Sequence, residues 1–248
     1  MNHAALTRIA LVDDHALFAE SLAMVLEIEG YRARRVQLEK ANGSITRLSC
    51  EIIKMRPGIV LLDLDLAPFG SGMSLIGPLA AIGVTVVVVT STIDRARWGE
   101  CIELGARKVI PKYAPLSDIV ATVRRIDNGL PTMVPAERTD LLDRWHDQKA
   151  TELGIRTRLS QLTRREAEVL GMLMAGLQVG EIARRRFVSE STVRTQVKAV
   201  LAKLQVGSQL TAVGLAHMAN WAPPALVASA SGGDPGEVDR AMATNHQR

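Results

Sequence analysis

The chain has 248 residues, 47% of them hydrophobic, which allows one or two compact domains and argues against a mostly disordered polypeptide. No apolar run reaches the roughly 18 residues of a bilayer span, and carboxylates break "MNHAALTRIALVDDH" where a secretory signal would stay apolar. The formal net charge of +4 is uneven: residues 160–221 carry eight basic and four acidic side chains, whereas 1–130 carry 15 and 14, 131–159 five of each, and 222–248 two and three. Positive charge confined to one segment points to an anionic partner for that segment alone.

In chain order, "RIALVD" reads as a strand and Ala16–Ile28 as a helix ended by Gly30. "YRARRV" is a polar, edge-like strand, followed by a helix near Ile45–Met55. "IVLLD" and "VTVVVVT" are unbroken apolar runs, the pattern of central parallel strands covered on both faces. "ARKVIP" is a fifth strand, with helices near Asp94–Leu104 and Pro115–Asn128. Strand–helix alternation of this kind predicts an α/β fold over residues 1–130, a doubly wound five-stranded parallel sheet. Residues 131–159 read as a linker, partly helical, in which "AERTDLLDRWHDQKA" puts Leu141, Leu142 and Trp145 on one side. Residues 160–221 give an all-α domain of four helices, Thr163–Leu177, Gly180–Arg186, Ser191–Leu204 and Leu210–Asn220. The tail, 222–248, is rich in Pro, Gly, Ser and Ala without periodicity and reads as disordered.

In such a sheet the carboxyl ends of the strands emerge on one edge, where ligands bind. Those ends are Asp13 and Asp14 after "IALV", Asp63 after "IVLL", Thr90 after "VVVV" and Lys112 after "KVIP". Three neighbouring carboxylates repel one another and call for a hard divalent cation such as Mg²⁺. The ammonium and the hydroxyl are donors suited to phosphoryl oxygens. Taken singly, Asp13 and Asp14 equally suit a helix cap, Asp63 and Asp65 a turn, and Lys112 a solvated surface. Their joint placement at four strand ends is what carries the reading.

At these residues the sequence resembles the receiver domain of two-component response regulators, a flavodoxin-like fold. "LVDDH", "LLDLD", "VVVVTS" and "GARKVIPK" match its motifs in order over about residues 7–130. The resemblance implies that Asp63 accepts a phosphoryl group from a sensor histidine kinase, and that Asp14 and Asp63 hold Mg²⁺. Asp13 would act through a coordinated water, and the backbone carbonyl of Asp65 would be a further ligand. Lys112 would pair with the phosphoryl oxygens, and Thr90 would move to bond them. Two places depart from the family pattern. The loop "LDLAPFGSGM" has its Pro and second Gly one position late, and the aromatic often found in the fifth strand is Val109.

In the basic segment, Thr163 and Glu166 have capping-box spacing. Further on, Val193, Val197, Val200, Leu201 and Leu204 fall on one helical stripe, opposite Thr195, Lys198 and Ala202 with Arg194 at the flank. A helix packed on one face and bearing small donors on the other suits a DNA major groove. "LTRREAEVL", "EIA", "VSESTVRTQVKAVLAKL" and "SQLTAV" resemble the LuxR/NarL-type helix-turn-helix. That resemblance implies base and nearby backbone contacts from Arg194, Thr195 and Lys198, phosphate contacts from Thr192 and Lys203, and dimerisation through Leu210–Asn220. Arg186 stands where such helices usually bury a leucine, and Gln196 replaces a common histidine.

The sequence therefore predicts a cytoplasmic, phosphorylation-dependent transcription regulator rather than an enzyme. Its expected partners are double-stranded DNA, a sensor kinase and a second copy of itself when active, with RNA polymerase admitted as a further one and no membrane. Two alternatives stay open. One is a phosphatase of the haloacid dehalogenase type, which shares the acid-x-acid strand end, the Thr, the Lys and Mg²⁺. The other is a DNA-binding regulator whose receiver works without phosphorylation. Cys50 and Cys101 form no CxxC pair, and the five histidines show no ligand spacing.

Overall fold

A computed structural model describes residues 7–223. The expectation of a disordered tail therefore falls, beyond Pro223, outside the described residues. The chain divides into two units, Met1–Ala150 and Thr151–Arg248.

The first unit is built on one five-stranded sheet of order β2-β1-β3-β6-β7. Its strands are β1 (Arg8–Val12), β2 (Arg32–Arg35), β3 (Ile59–Leu62), β6 (Thr85–Thr90) and β7 (Lys108–Pro111), and all pairings are parallel. The apolar runs occupy the middle: every residue of β3 and the last five of β6 are buried, whereas the arginine-rich β2 lies at the edge. Side chains alternate between two faces. Ala10, Val12, Val60, Leu62, Val86 and Val88 enter one core. Ile9, Leu11, Ile59, Leu61, Val87 and Val89 enter the other. Helices α1 (Ala16–Ile28) and α5 (Leu116–Asp127) cover the second face. Helices α2 (Ile45–Lys54), α3 (Ile76–Ala81) and α4 (Arg95–Glu103) cover the first.

Two elements here lie beyond the sequence reading. One is α3, six residues containing Gly77 and Pro78, too short and too interrupted to show a helical period. The other is a small antiparallel hairpin after β3, β4 (Asp65–Leu66) against β5 (Gly70–Ser71). It is followed by Gly72, where a Cβ would stand 2.2 Å from the carbonyl oxygen of Asp63. Only glycine lets the chain return that close to the strand end.

Helix α6 (Pro135–Ser160) starts at a proline, as a first helical position favours, and runs ten residues beyond the predicted linker helix. Its early part belongs to the first unit. Leu141 is 1% exposed in the core under α4, and a Cβ on Gly99 of α4 would lie 2.0 Å from the Leu141 carbonyl oxygen. The two helices thus meet backbone to backbone. The late part of α6 supplies Ile155 and Leu159 to the core of the second unit.

That second unit adds α7 (Arg164–Met174), α8 (Val179–Arg186), α9 (Glu190–Leu204) and α10 (Gln209–Met218). Both halves of the predicted capping box form: Thr163 Oγ1 accepts from the Glu166 amide, and Glu166 Oε2 accepts from the Thr163 amide at 2.7 Å. Val193, Val197, Val200 and Leu204 form the buried stripe of α9. Val193 and Val197 pack on Ile182 and Ala183 of α8, and Val200 and Leu204 on Leu170 of α7 and Ala212 and Ala216 of α10.

Candidate functional site

The order β2-β1-β3 places the reversal of strand order between β1 and β3, the point where doubly wound sheets bind ligands. Val12 and Leu62 are register partners, and the Asp63 amide donates to the Val12 carbonyl at 2.8 Å, which sets Asp13 beside Asp63. Thr90 ends β6 with no exposed surface, and Lys112 follows β7. The four predicted strand ends do share one edge.

Lys112 is the hub. Its Nζ lies 2.6 Å from Asp63 Oδ2 and 2.8 Å from Asp13 Oδ2, and it sits 5.3 Å from the centre of the Phe18 ring. Backbone amides hold three of the other oxygens: His15 donates to Asp13 Oδ1, Asp65 to Asp63 Oδ1 and Ala67 to Asp14 Oδ2. Burial pushes the Asp63 carboxyl above the ordinary aspartate value, against the pull of Lys112, and the Asp13 charge adds to the rise. Burial alone would lower Lys112, but its hydrogen bonds to Asp13 and Asp63 hold the ammonium above its usual value. The Lys112 shift reflects two carboxylates sharing one ammonium, and the Asp63 shift reflects chiefly its burial.

The residues fit a hard cation. Asp14 Oδ1 is buried without a well-aligned hydrogen-bond donor, and its near polar neighbour is the imidazole of His15. One ligand atom from each of Asp13, Asp14, Asp63 and His15 lies within 4.8 Å of the others. His15 was not singled out by the histidine spacing; its signal was its place directly after the acidic pair in "LVDDH". Its Nδ1 stands 2.9 Å from Asp14 Oδ1 and 3.4 Å from Lys112 Nζ. The Asp65 carboxylate lies apart: it is exposed, outside that group and 3.9 Å from Arg97 of α4.

Thr90 leads outward to α4. Its Oγ1 accepts from the Thr92 amide at 3.2 Å, and the Thr92 carbonyl accepts from the indole Nε1 of Trp98 at 3.0 Å. Trp98 shares a core with Val109 and Leu141. An aromatic ring therefore stands next to the loop after Thr90, and it comes from α4 rather than from the fifth strand.

In the second unit Thr192, Arg194, Thr195 and Lys198 all lie on the exposed side of α9. Arg194 is held by Glu190 at 3.0 Å, Thr195 donates to the Ser191 carbonyl, and the Thr192 hydroxyl joins the Ser189 cap. Lys198 has no hydrogen-bond or ion-pair partner among the described residues. Lys203 is placed otherwise: its Nζ lies 2.6 Å from Glu166 Oε2 and 3.1 Å from the Gln161 carbonyl, so it braces the α7 cap.

A buried carboxylate beside a lysine and an acidic pair, at a parallel sheet's switch point, has the layout of a phosphoacceptor-type domain, here in one chain with a four-helix unit of helix-turn-helix form. Comparison with known families agrees. The response regulator receiver domain matches residues 9–124, and the luxR family of bacterial regulatory proteins matches residues 160–216. Together these cover more than two thirds of the chain, which belongs to the response regulators with a luxR-type output domain.

Similar curated proteins include the nitrate/nitrite response regulator protein homolog of Haemophilus influenzae, 25% identical over 84% of this chain and 95% of its own. The transcriptional regulatory protein LiaR of Bacillus subtilis is 28% identical over 85% and 96%. Among solved structures, the RcsB–DNA complex is 20% identical over 86% of this chain and 98% of its own, with a TM-score of 0.47.

Proposed function

We propose that this response regulator accepts a phosphoryl group on Asp63 from a sensor histidine kinase and, once modified, binds DNA as a dimer to control transcription. The observation that carries the proposal is Lys112 bridging Asp63 and Asp13 at 2.6 and 2.8 Å. An Asp63 oxygen attacks phosphorus, the P–O bond forms, the bond to the donor nitrogen breaks, and Lys112 faces the charge that gathers on the phosphoryl oxygens. Asp14, Asp63 and the Asp65 carbonyl would hold Mg²⁺, with Asp13 acting through a water; bound there, the ion supplies further positive charge to the phosphoryl group. The Thr90 hydroxyl, now an acceptor for Thr92, would turn to donate to the modified Asp63 and so release its loop.

We assign residues 1–130 to the receiver, 131–159 to a linker whose helix lends Leu141 to the first core and Ile155 and Leu159 to the second, and 160–221 to the DNA-binding domain. In the latter, exposed Arg194, Thr195 and Lys198 read the major groove and Thr192 meets phosphate. Dimerisation through α10, which exposes 83% of Leu210 and 62% of Met218, would set two copies of α9 on half-sites about one helical turn apart. The ion pair of Lys203 with Glu166 favours a structural role for that lysine over a phosphate contact.

A phosphatase of the haloacid dehalogenase type would need the Asp65 carboxylate beside Asp63 as proton donor. Its exposure and its approach to Arg97 speak against that. The test is incubation with Mg²⁺ and phosphoramidate, following intact mass and free phosphate. One phosphoryl group gained, slowly lost, and absent in Asp63→Asn is the expected result. Repeated rapid phosphate release would indicate the phosphatase, and no adduct would leave a regulator switched by other means.

A further inference from the structure

Arg186 ends α8 four residues after buried Ile182, so its side chain falls on the apolar stripe of that helix. It is only 18% exposed there, yet it is charged. Its guanidinium is shared between two other helices: Nη1 donates to Gln196 Oε1 of α9 at 2.8 Å, and Nη2 to Glu168 Oε2 of α7 at 3.3 Å. Glu168 is itself 17% exposed, and its second oxygen accepts from Arg164 Nε. Arg186 and Gln196, the two departures noted in the helix-turn-helix segment, are thus hydrogen-bonded to each other.

Gln196 lies between Thr195, on the exposed face of α9, and Val197, on its packed face. A bond at that flank resists rotation of α9 about its own axis, a motion that sliding apolar contacts with Val193 and Val197 restrain less. Rotation by about 10° would move groups on a helix surface by roughly 1 Å, enough to miss a base edge while still reaching a phosphate. Arginine suits the task because one planar fork serves both partners, where a lysine presents a single point charge.

We propose that Arg186 is a positioning residue for DNA recognition: bridging Glu168 and Gln196, it fixes the rotation of α9 and so the aim of Arg194, Thr195 and Lys198. The proposal rests on α9 being the recognition helix. It predicts a loss of sequence discrimination with little loss of general DNA affinity.

The test uses the full chain treated with Mg²⁺ and phosphoramidate. A preferred duplex is first selected from a random-sequence library with the wild type. Dissociation constants are then measured for that duplex and for mixed-sequence DNA. Arg186→Leu, which fills the apolar stripe, should lower the specific-to-nonspecific ratio at least tenfold and change nonspecific affinity less than twofold. Gln196→Ala, which leaves the Arg186–Glu168 pair intact, should give a similar drop, and the double variant no further one. Gln196→Ala also decides the matter should Arg186→Leu fail to fold.

A ratio kept within twofold in the folded variants would overturn the positioning role, while a loss in Lys198→Ala would still uphold α9 as the reader. No sequence preference in the wild type would overturn both readings together.

Discussion

Gly99→Ala tests whether the start of α6 is part of the receiver. A Cβ at that position would lie 2.0 Å from the Leu141 carbonyl oxygen and 2.8 Å from both Leu141 C and Trp145 Cβ. Carbon–oxygen contacts settle near 3.3–3.6 Å, so α6 must retreat by about 1.3 Å or more. Both atoms in the tightest contact are backbone-fixed, and no side-chain rotation relieves it. Leu141, now 1% exposed, would lose much of its burial, a loss on the order of 2 kcal/mol. For a unit of this size that corresponds to a fall of about 6–8 °C in its Tm. Amide exchange across 135–150 should accelerate in step. Phosphorylation by phosphoramidate should proceed normally, since Gly99 is in contact with α6 and is not among the groups bonded in the Asp63–Asp13–Lys112 cluster. A variant with unchanged Tm and unchanged exchange in that segment would refute the backbone-to-backbone packing of α4 on α6.

Trp98→Phe keeps a ring in the core but deletes the donor to the Thr92 carbonyl. Phosphorylation should persist while the gain in DNA affinity on adding phosphoramidate shrinks; an undiminished gain would remove Trp98 from the route out of Thr90. Lys198→Ala should reduce the magnitude of the salt slope of DNA binding by about 1, and an unaltered slope would take Lys198 off the DNA. Lys203→Met should leave that slope alone and destabilise the second unit by about 1–2 kcal/mol at pH 7, because it strips a donor from buried Glu166. Burial would raise the Glu166 carboxyl, but the bonds from Lys203 and Thr163 outweigh it and hold it below the ordinary glutamate value. A depressed carboxylate adds stability above its unfolded pKa and loses it as pH falls through its folded one. Thermal melts from pH 7 to 3 should therefore show the Lys203→Met deficit narrowing on the acid side, and a constant deficit would contradict the pairing.

What the sequence reveals here follows the range over which each signal acts. Strands buried on both faces must be apolar throughout, so β3 and β6 stand out in one dimension, and the carboxylates that interrupt them mark the sheet's edge. The capping box of α7 needs only residues three apart, and it formed as read. Partnerships across the fold are another matter. Lys203 looks like any other solvent-facing lysine on α9 until α7 brings Glu166 to 2.6 Å. Trp98 and Val109 seem unrelated until the fold sets them in one core. The late turns of α6 were hidden because "TELGIRTRLS" contains a helix-weakening glycine and few apolar residues. Ile155 and Leu159 gain their meaning only from the core they enter.

Arg186 and Gln196 carry the point furthest. Each, read alone, is a defect: a charge on an apolar stripe, and an amide in place of a ring. Their Cα atoms sit ten positions apart on different helices, and nothing local says they touch. A guanidinium largely withdrawn from water persists only with its hydrogen bonds satisfied, so an unexplained arginine on a packed face is itself a signal that polar partners wait nearby. Here Glu168 and Gln196 are those partners. The oddities of a sequence are thus best examined in pairs, because the physical cost that makes one residue anomalous is what requires the other.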